Sequence, residues 1–322
     1  MTLREPPKQH TPSRTLGRFL GLVILVAVAG VAIYTAVTNQ LADETEDRRM
    51  AGFDLDDAAV VDGFRLNVVD DGGGPEPVVI LHDFDVTGGM ILEDLSASLG
   101  ESYHGVRIDL PGFGYSDRIP AVGTSHTVGA MAERIAAVID DRSNGPVPVI
   151  GIGLGGEVAA ELAHSHSDVV SGVVMVDVDF WADPTFEERL ESLVWVGKAA
   201  TYTWETGGRL AADNWAPHCE DGGWCPSDAQ LIERETIIKI EDTTQSLWSF
   251  RRTPPAALAP SNLTEISVSA AYVWSTSEEV SQETVDRMVD GWAGLQVFES
   301  ATYAAHLEDP ETVAEALAAV AG

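Results

Sequence analysis

The sequence is poor in positive charge. Its 322 residues include 19 Lys and Arg against 51 Asp and Glu, which gives a formal net charge of −32. Residues 1–18 hold four basic residues and one acidic residue, a balance of +3, whereas residues 19–322 hold 15 basic and 50 acidic residues, a balance of −35. Because a protein that binds nucleic acid needs a basic face to neutralise phosphates, this composition argues against a nucleic-acid partner.

Cysteine is equally scarce. Cys219 and Cys225 stand six positions apart around a Gly-Gly turn. Two thiols and the neighbouring His218 do not complete a tetrahedral zinc set, and no acidic loop of the calcium-binding pattern is present. We therefore predict no metal site and no cofactor. In an oxidising compartment the two cysteines are expected to form a short-loop disulfide, and in a reducing one they would stay thiols.

One long stretch lacks charge altogether. Residues 19–37 form an apolar run of 19 residues, which as a helix would span roughly 29 Å, close to the hydrocarbon thickness of a bilayer. Basic residues precede the run and the acidic segment 42–49 follows it. The positive-inside rule then predicts a single-pass cell-membrane anchor, with residues 1–18 as a cytoplasmic tail and the main domain outside. The alternative is a signal peptide cleaved after the small residues Ala27-Val28-Ala29.

The remainder divides into a linker, a core and an insertion. Residues 38–57 are polar and acidic, which predicts a linker, and from residue 58 to 322 strand patterns alternate with helix patterns. Such alternation predicts an α/β domain built on a doubly wound, mostly parallel sheet. Residues 181–262 interrupt the rhythm with no clear strand and six of the eight tryptophans, and this insertion predicts a helical cap over the carboxyl ends of the strands. The predicted strands cover 64–69, 77–81, 106–110, 147–152, 172–178, 266–274 and 295–299.

Five motifs follow one another in the order of the α/β-hydrolase superfamily. They resemble, in turn, its oxyanion loop, its D-x-P-G-x-G-x-S segment, its nucleophile elbow, its acid strand and its histidine loop. The motifs are LHDF (81–84), RIDLPGFGYSDR (107–118), GIGLGG (151–156), YVWSTSEE (272–279) and YAAHLEDPE (303–311). The chain from about residue 58 to 320 thus resembles a capped member of that superfamily.

The catalytic positions depart from the superfamily pattern. The elbow G-x-S-x-G here carries Gly153 at the nucleophile position, and glycine has no side chain that could attack a carbonyl. Glu278 keeps a carboxylate at the acid position, but Tyr303 stands where the resemblance places the general-base histidine. Since an unperturbed tyrosine has a pKa near 10, it is a poor base at neutral pH. We expect a catalytically degenerate member.

The oxyanion loop departs as well, because the usual His-Gly is His82-Asp83. The resemblance implies that the backbone N–H groups of Phe84 and Leu154 would hold a developing oxyanion, which a neighbouring carboxylate would repel. His-Asp together with Gly-x-Gly-x-Gly is similar to the N-myc downstream-regulated branch, whose members are regarded as non-catalytic. We expect the cleft between cap and sheet to bind a small apolar ligand or a protein partner.

An active hydrolase of ester-like substrates stays open as an alternative. His306 could work with Glu278 or with Glu279 as a displaced constellation, although a second histidine there is structural in ordinary superfamily members. Asp83 is a further candidate for a nucleophile or an acid.

A dinucleotide-binding, oxidoreductase-like domain is the other alternative. Gly151, Gly153 and Gly156 spell G-x-G-x-x-G after a predicted strand, and Asp177 ends the next one. That layout is typical of a phosphate-binding turn followed by a ribose-binding acid.

Overall fold

A seven-stranded sheet forms the centre of the computed structural model. The residues that it describes are 14–45, 58–118, 127–181, 197–206, 219, 223–252, 260–276 and 280–321. The strands are β1 (Ala59–Val61), β2 (Phe64–Leu66), β3 (Val68–Asp70), β4 (Glu76–Leu81), β5 (Tyr103–Ile108), β6 (Val147–Ile152), β7 (Val170–Val176), β8 (Ser269–Ser275) and β9 (Gln296–Ser300). The sheet order is β3-β5-β4-β6-β7-β8-β9, and β1 and β2 form a separate hairpin.

Helices cover both faces of this sheet. They are α1 (Arg14–Thr45), α2 (Glu93–Ser98), α3 (Val128–Arg142), α4 (Leu154–Ser165), α5 (Gly197–Thr206), α6 (Asp228–Ile238), α7 (Thr243–Arg252), α8 (Gln282–Gly291), α9 (Ala305–Glu308) and α10 (Pro310–Val320). Helices α3 and α4 pack in one hydrophobic cluster, and α2 and α10 pack in the other. Because both faces are covered, central strands such as β6 are buried along their whole length.

The predicted fold class is confirmed. The pairs β4–β5, β4–β6, β6–β7, β7–β8 and β8–β9 are parallel, and β3–β5 is antiparallel. One predicted strand, 64–69, is two strands, since β2 pairs with β1 and β3 pairs with β5. Between them Asn67 donates its N–H to the side chain of Ser116. Parallel strands bring their carboxyl ends to one edge, so His82, Gly153 and Asp177 follow neighbouring strands there.

Helix α1 contains the predicted apolar run and extends beyond it. Within the described residues, Leu22–Leu41 has the length and composition to cross a membrane, with a mean hydropathy of 2.1. The helix continues to Thr45, so the first eight residues of the expected linker 38–57 are helical, because no proline or glycine interrupts them. Residues 1–13 and 46–57 lie outside the described part.

The predicted cap region contributes helices α5, α6 and α7. Helices α6 and α7 are separate, since the chain turns between Lys239 and Asp242, where Asp242 has φ +66°. Helix α6 begins with a capping box in which the side chains of Ser227 and Gln230 bond each other's backbone N–H. The cap boundaries 181–262 stay a prediction, because residues 182–196, 207–218, 220–222 and 253–259 lie outside the described part.

Candidate functional site

Gly153 alone makes the turn between β6 and α4. Its φ of +47° and ψ of −114° lie in a region that glycine adopts without the strain a Cβ would bring. Its N–H donates to the carbonyl of Val176 at 3.0 Å, and its carbonyl accepts from the N–H of Gly156 at 3.0 Å. Strand β7 and helix α4 therefore both hold the turn. The sharp elbow is formed, but no side chain projects from its tip.

The carboxylate of Asp83 lies in the space that an elbow side chain would need. A Cβ built on Gly153 would overlap the Oδ1 and Cγ atoms of Asp83. Asp83 Oδ1 accepts a hydrogen bond from the N–H of Leu154 at 2.8 Å, and the N–H of Phe84 also bonds this carboxylate. These are the two N–H groups that the resemblance assigned to an oxyanion. One side chain thus occupies both the nucleophile position and the oxyanion-binding donors.

Asp83 combines solvent contact with a low-polarity environment. The residue retains exposed surface, yet the surrounding protein raises the pKa of its carboxyl, mainly because loss of hydration disfavours the charged form. The N–H groups of Leu154 and Phe84 act in the opposite direction, since they stabilise the anion. The carboxyl group therefore contacts solvent on one side and the turn at Gly153 and Leu154 on the other.

Two further carboxyl groups, those of Glu157 and Asp179, lie in this part of the molecule, and the sequence motifs did not single them out. The pKa of Glu157 is raised to about 8, first because of burial and then because Asp83 and Asp179 are negatively charged neighbours. Asp179 accepts from the N–H of Trp181 at 2.9 Å and from Thr284 Oγ1 at 3.3 Å. Their positions in the sequence could have indicated them. Glu157 lies one helical turn after the elbow glycine, and Asp179 lies just beyond the end of β7.

His82 has a structural role in the oxyanion loop. Its side chain is fully buried, Nε2 accepts from the N–H of Leu110 at 2.9 Å, and Nδ1 lies 2.5 Å from the carbonyl oxygen of Asp83. The two partners fix the tautomer, because an N–H donor requires a lone pair on Nε2 and a carbonyl requires a proton on Nδ1. His82 therefore orients the backbone of Asp83, and neither ring nitrogen is left to act as a base.

An aromatic cluster joins the oxyanion loop to the cap. The ring of Phe84 lies edge-on to Phe113 at 5.1 Å and to Phe250 of α7 at 5.9 Å. The guanidinium of Arg251 lies 4.3 Å from the centre of the Phe84 ring. Helix α7 approaches closely enough that a Cβ on Gly112 would lie 2.7 Å from the Phe250 ring. Aromatic side chains consequently adjoin Asp83 on the cap side, and the region formed by Asp83, Phe84 and Phe250 is called the recess below.

Polar contacts reinforce this junction through the 107–118 loop. Asp109 accepts from the N–H groups of Gly89 and Tyr115, and Asp117 pairs with Arg65 at 2.7 Å. Arg118 donates to the carbonyls of the same loop and, at 2.8 Å, to Thr243 Oγ1 of α7. The loop therefore serves to position the cap, and its carboxylates are used for structure.

The expected base position lies after β9, at the edge of the sheet where the parallel strands end. Tyr303 is half-buried, and its N–H donates to Glu308 Oε2 at 3.1 Å. His306 is half-buried within the short helix α9. Glu278 and Glu279 lie outside the described residues, so a constellation of either one with His306 stays a prediction.

Asp177 ties the strand ends together. Its carboxylate accepts from the N–H and the Oγ of Ser275, at 2.7 and 2.6 Å, and Ser275 Oγ accepts from the N–H of Ala305 at 2.8 Å. This network links β7, β8 and the segment that follows β9. The carboxylate of Asp177 is thus hydrogen-bonded within the protein. At the start of α4, the N–H of Leu154 is hydrogen-bonded to the Asp83 carboxylate. Both features disfavour the dinucleotide alternative, because a carboxylate at that helix start would repel a pyrophosphate.

Cys219 and Cys225 are joined by a disulfide, with their Cα atoms 4.8 Å apart. The adjacent Trp224 donates its indole N–H to Asp94 Oδ2 of α2 at 3.2 Å. The segment around Cys225 is thus hydrogen-bonded to helix α2 of the domain.

Comparison with known proteins agrees with this architecture. The model of the alpha/beta hydrolase family matches residues 78–316. The dihydrolipoyllysine-residue acetyltransferase component of the acetoin cleaving system of Cupriavidus necator is 32% identical over 178 residues, which are 54% of this chain and 46% of that protein. The pimeloyl-[acyl-carrier protein] methyl ester esterase of Aeromonas hydrophila is 31% identical over 129 residues, which are 40% of this chain and 44% of that protein.

Among solved structures, a hydrolase from Pseudomonas aeruginosa PA01 aligns with a TM-score of 0.63 at 16% identity, covering 84% of this chain and all of that one. The chain spans less than half the length of the two curated relatives. The narrower likeness to the N-myc downstream-regulated branch is not established by these matches and stays a prediction.

Proposed function

Because this chain belongs to the alpha/beta hydrolase family, we propose that it retains the family's fold and cleft without the acyl-transfer chemistry of an elbow nucleophile. It would bind a small apolar ligand in the recess between the sheet and the cap. The observation that supports this proposal best is the hydrogen bond from the Leu154 N–H to the Asp83 carboxylate at 2.8 Å.

Acyl transfer needs a nucleophile and a set of free donors for the developing oxyanion. Gly153 supplies no nucleophile, and the Asp83 carboxylate engages the N–H groups of Leu154 and Phe84. Removing one oxyanion donor costs an enzyme about 10²–10³ in kcat. Here both donors face the carboxyl group of Asp83. The oxyanion of a tetrahedral intermediate would therefore be repelled by its full or partial negative charge and would not be stabilised.

The nature of the ligand follows from what bounds the recess. Phe84 retains partial exposure beside Asp83 and packs against the buried rings of Phe113 and Phe250. Aromatic walls favour apolar groups, and a limited polar floor is typical of small-molecule sites. The alternative is a protein partner that binds the same cleft. In that case a screen of small apolar ligands would find none that binds.

The membrane assignment is part of the proposal. Helix α1 would anchor the chain in the cell membrane, with residues 1–18 cytoplasmic and the domain from about residue 58 outside, as charge placement around the apolar run favours. Carbonate extraction should leave the full chain in the membrane pellet, and protease added to intact cells should cleave the domain. Recovery of a soluble form whose N-terminus begins near residue 30 would replace the anchor with a cleaved signal peptide.

Hydrolysis and binding are tested separately on purified full-length protein. Wild type, Asp83→Asn and His306→Ala are each assayed with p-nitrophenyl acetate and butyrate. We expect no turnover above buffer for any of them. Turnover in wild type that is lost in His306→Ala or Asp83→Asn, at unchanged thermal stability, would establish the displaced hydrolase constellation and reject the proposal.

Binding is followed with a fluorescent fatty-acyl probe. Phe84→Ala should weaken binding about tenfold, the equivalent of roughly 1.4 kcal/mol of lost apolar contact. Val60→Ala, which truncates an exposed side chain on β1, is the control and should bind like wild type. NAD and NADP should leave the melting temperature unchanged, because a nucleotide that bound the folded state would raise it.

A further inference from the structure

Helix α1 is packed against the cap. The hydroxyl of Tyr34 lies 2.5 Å from Thr203 Oγ1 of α5. Four positions further along α1, on the same helical face, Thr38 is 93% buried in the structure, and Thr201 of α5 is 2% exposed. The last turns of the apolar helix and the cap helix α5 therefore form a packed interface.

The position of this interface along α1 sets the depth of the cap relative to a bilayer. Leu22–Leu41 comprises 20 residues, which as a helix cover about 30 Å, the hydrocarbon thickness of a membrane. Tyr34 precedes the end of the span by seven residues and Thr38 by three, so they lie about 10 Å and about 4.5 Å from that end. A helix packed on these two residues lies beside the outer third of the span, next to the boundary between lipid and water.

The neighbouring cap helix α6 presents apolar surface to its surroundings. Outside α1, the large apolar residues that the structure describes as exposed are Val60, Leu231, Ile232 and Val289. Leu231 and Ile232 are adjacent on α6, with 41% and 67% of their surface exposed, and α6 contacts α5. The exposed pair is thus part of the same layer of helices that packs on α1.

We propose that the cap is seated on the outer surface of the bilayer through α5 and α6, with Leu231 and Ile232 inserted at the level of the lipid head groups. This inference rests on the proposed role of α1 as a membrane anchor. The lipid surface is the occupant because the exposed pair belongs to the layer of helices that α1 joins to the membrane boundary. A domain with a balance of −35 outside the basic tail favours neutral, zwitterionic head groups over anionic ones.

The seated cap would also bring the ligand-binding recess close to lipid. Helix α7, which carries Phe250 and Arg251 at the recess, packs directly against α5. An apolar ligand could then reach the recess from the membrane without crossing bulk water.

The experiment places an environment-sensitive NBD label at one of two positions with matched exposure. Ile232→Cys and Val60→Cys are labelled in the full-length protein with its native disulfide intact, because their native side chains are 67% and 66% exposed. Each protein is reconstituted into phosphatidylcholine vesicles with or without brominated acyl chains. The label at position 232 should emit at shorter wavelength and be quenched about threefold more strongly by brominated lipid than the label at position 60.

Equal, water-like emission and equal quenching at both positions would overturn the seated cap. Flotation of the same labelled proteins with the vesicles separates this failure from failure of the anchor, since a chain without an anchor would not float. A Tyr34→Cys/Thr203→Cys pair provides an independent reading of the α1–α5 interface. Oxidative cross-linking of that pair in the bilayer is expected, and its absence in floated protein would also reject the proposal.

Discussion

The Asp83 carboxylate and Gly153 are sterically complementary, because the carboxylate lies where a Cβ at position 153 would be. Two departures from the family pattern, one in the oxyanion loop and one at the elbow, are therefore one structural change. A carboxylate in that place requires glycine at the elbow, and the bond from the Leu154 N–H then holds it there.

Gly153→Ser should destabilise the folded protein by about 3 kcal/mol or more, since it adds a side chain that overlaps Asp83 and imposes strain at φ +47°. Urea denaturation of the purified variant measures this. Gly129→Ser is the matched control, because a Cβ at that helical position meets no atom within 4 Å. It should change stability by about 0.5 kcal/mol or less.

The double variant Asp83→Gly/Gly153→Ser should recover at least about 1 kcal/mol relative to Gly153→Ser alone, because the overlap is gone while the strained φ remains. A double-mutant cycle with Asp83→Gly gives the coupling energy between the two positions. Strictly additive effects would show that the two side chains do not compete for the same space.

Glu157→Gln should stabilise the protein most at alkaline pH. The pKa of Glu157 is raised from 4.5 to about 8 in the folded state, so between these values the folded protein holds a proton that the unfolded chain has lost. The free energy of unfolding therefore decreases as pH rises through this window, and the glutamine variant lacks that contribution. At about pH 9 the free energy of unfolding of the variant should exceed that of wild type by about 1–2 kcal/mol. This is less than the full pKa shift implies, because solvent near Glu157 screens its charge.

Urea denaturation at about pH 5, 7 and 9 measures this dependence. Glu133→Gln removes the same charge from an exposed position on α3 and serves as the control. An equal pH dependence in Glu157→Gln and wild type would contradict the assigned environment of Glu157.

Phe250→Ala should destabilise the protein by about 3–4 kcal/mol, because a ring that is 1% exposed leaves a cavity between the cap and the 107–118 loop. The same variant should bind the fatty-acyl probe more weakly, since the ring of Phe84 loses an edge-on contact with Phe250. Val289→Ala, at a position that is 47% exposed on α8, should alter neither quantity. Thermal denaturation with and without probe provides both readings.

Cys219→Ser/Cys225→Ser should lower the free energy of unfolding by about 2 kcal/mol, the loop-closure value for cysteines six positions apart. A reducing agent should lower the stability of wild type by a similar amount and leave the double variant unaffected. If the reductant changed both proteins equally, its effect would not come from this disulfide.

Much of the fold could be predicted from local patterns. The strand Val147–Ile152 has the predicted bounds because an apolar run rich in β-branched residues is buried along its whole length. Helix α10 begins at a recognisable sequence signal, with Asp309 accepting from the N–H of Thr312 and Pro310 in the first turn. The break at Lys239–Asp242 could not be predicted, since a positive φ at an aspartate has no strong local signal.

What the sequence by itself determined is the hydrolase-like order of elements, the apolar helix and the absence of a side chain at Gly153. These follow from residue type, spacing and hydropathy. Only the tertiary structure decided that the Asp83 carboxylate fills the space beside Gly153, that Glu157 lies near both Asp83 and Asp179, and that α1 packs on α5. Each of those relationships joins residues distant in the chain, and its physical basis is a shared volume, a hydrogen bond or a burial that exists only after the strands have aligned their carboxyl ends.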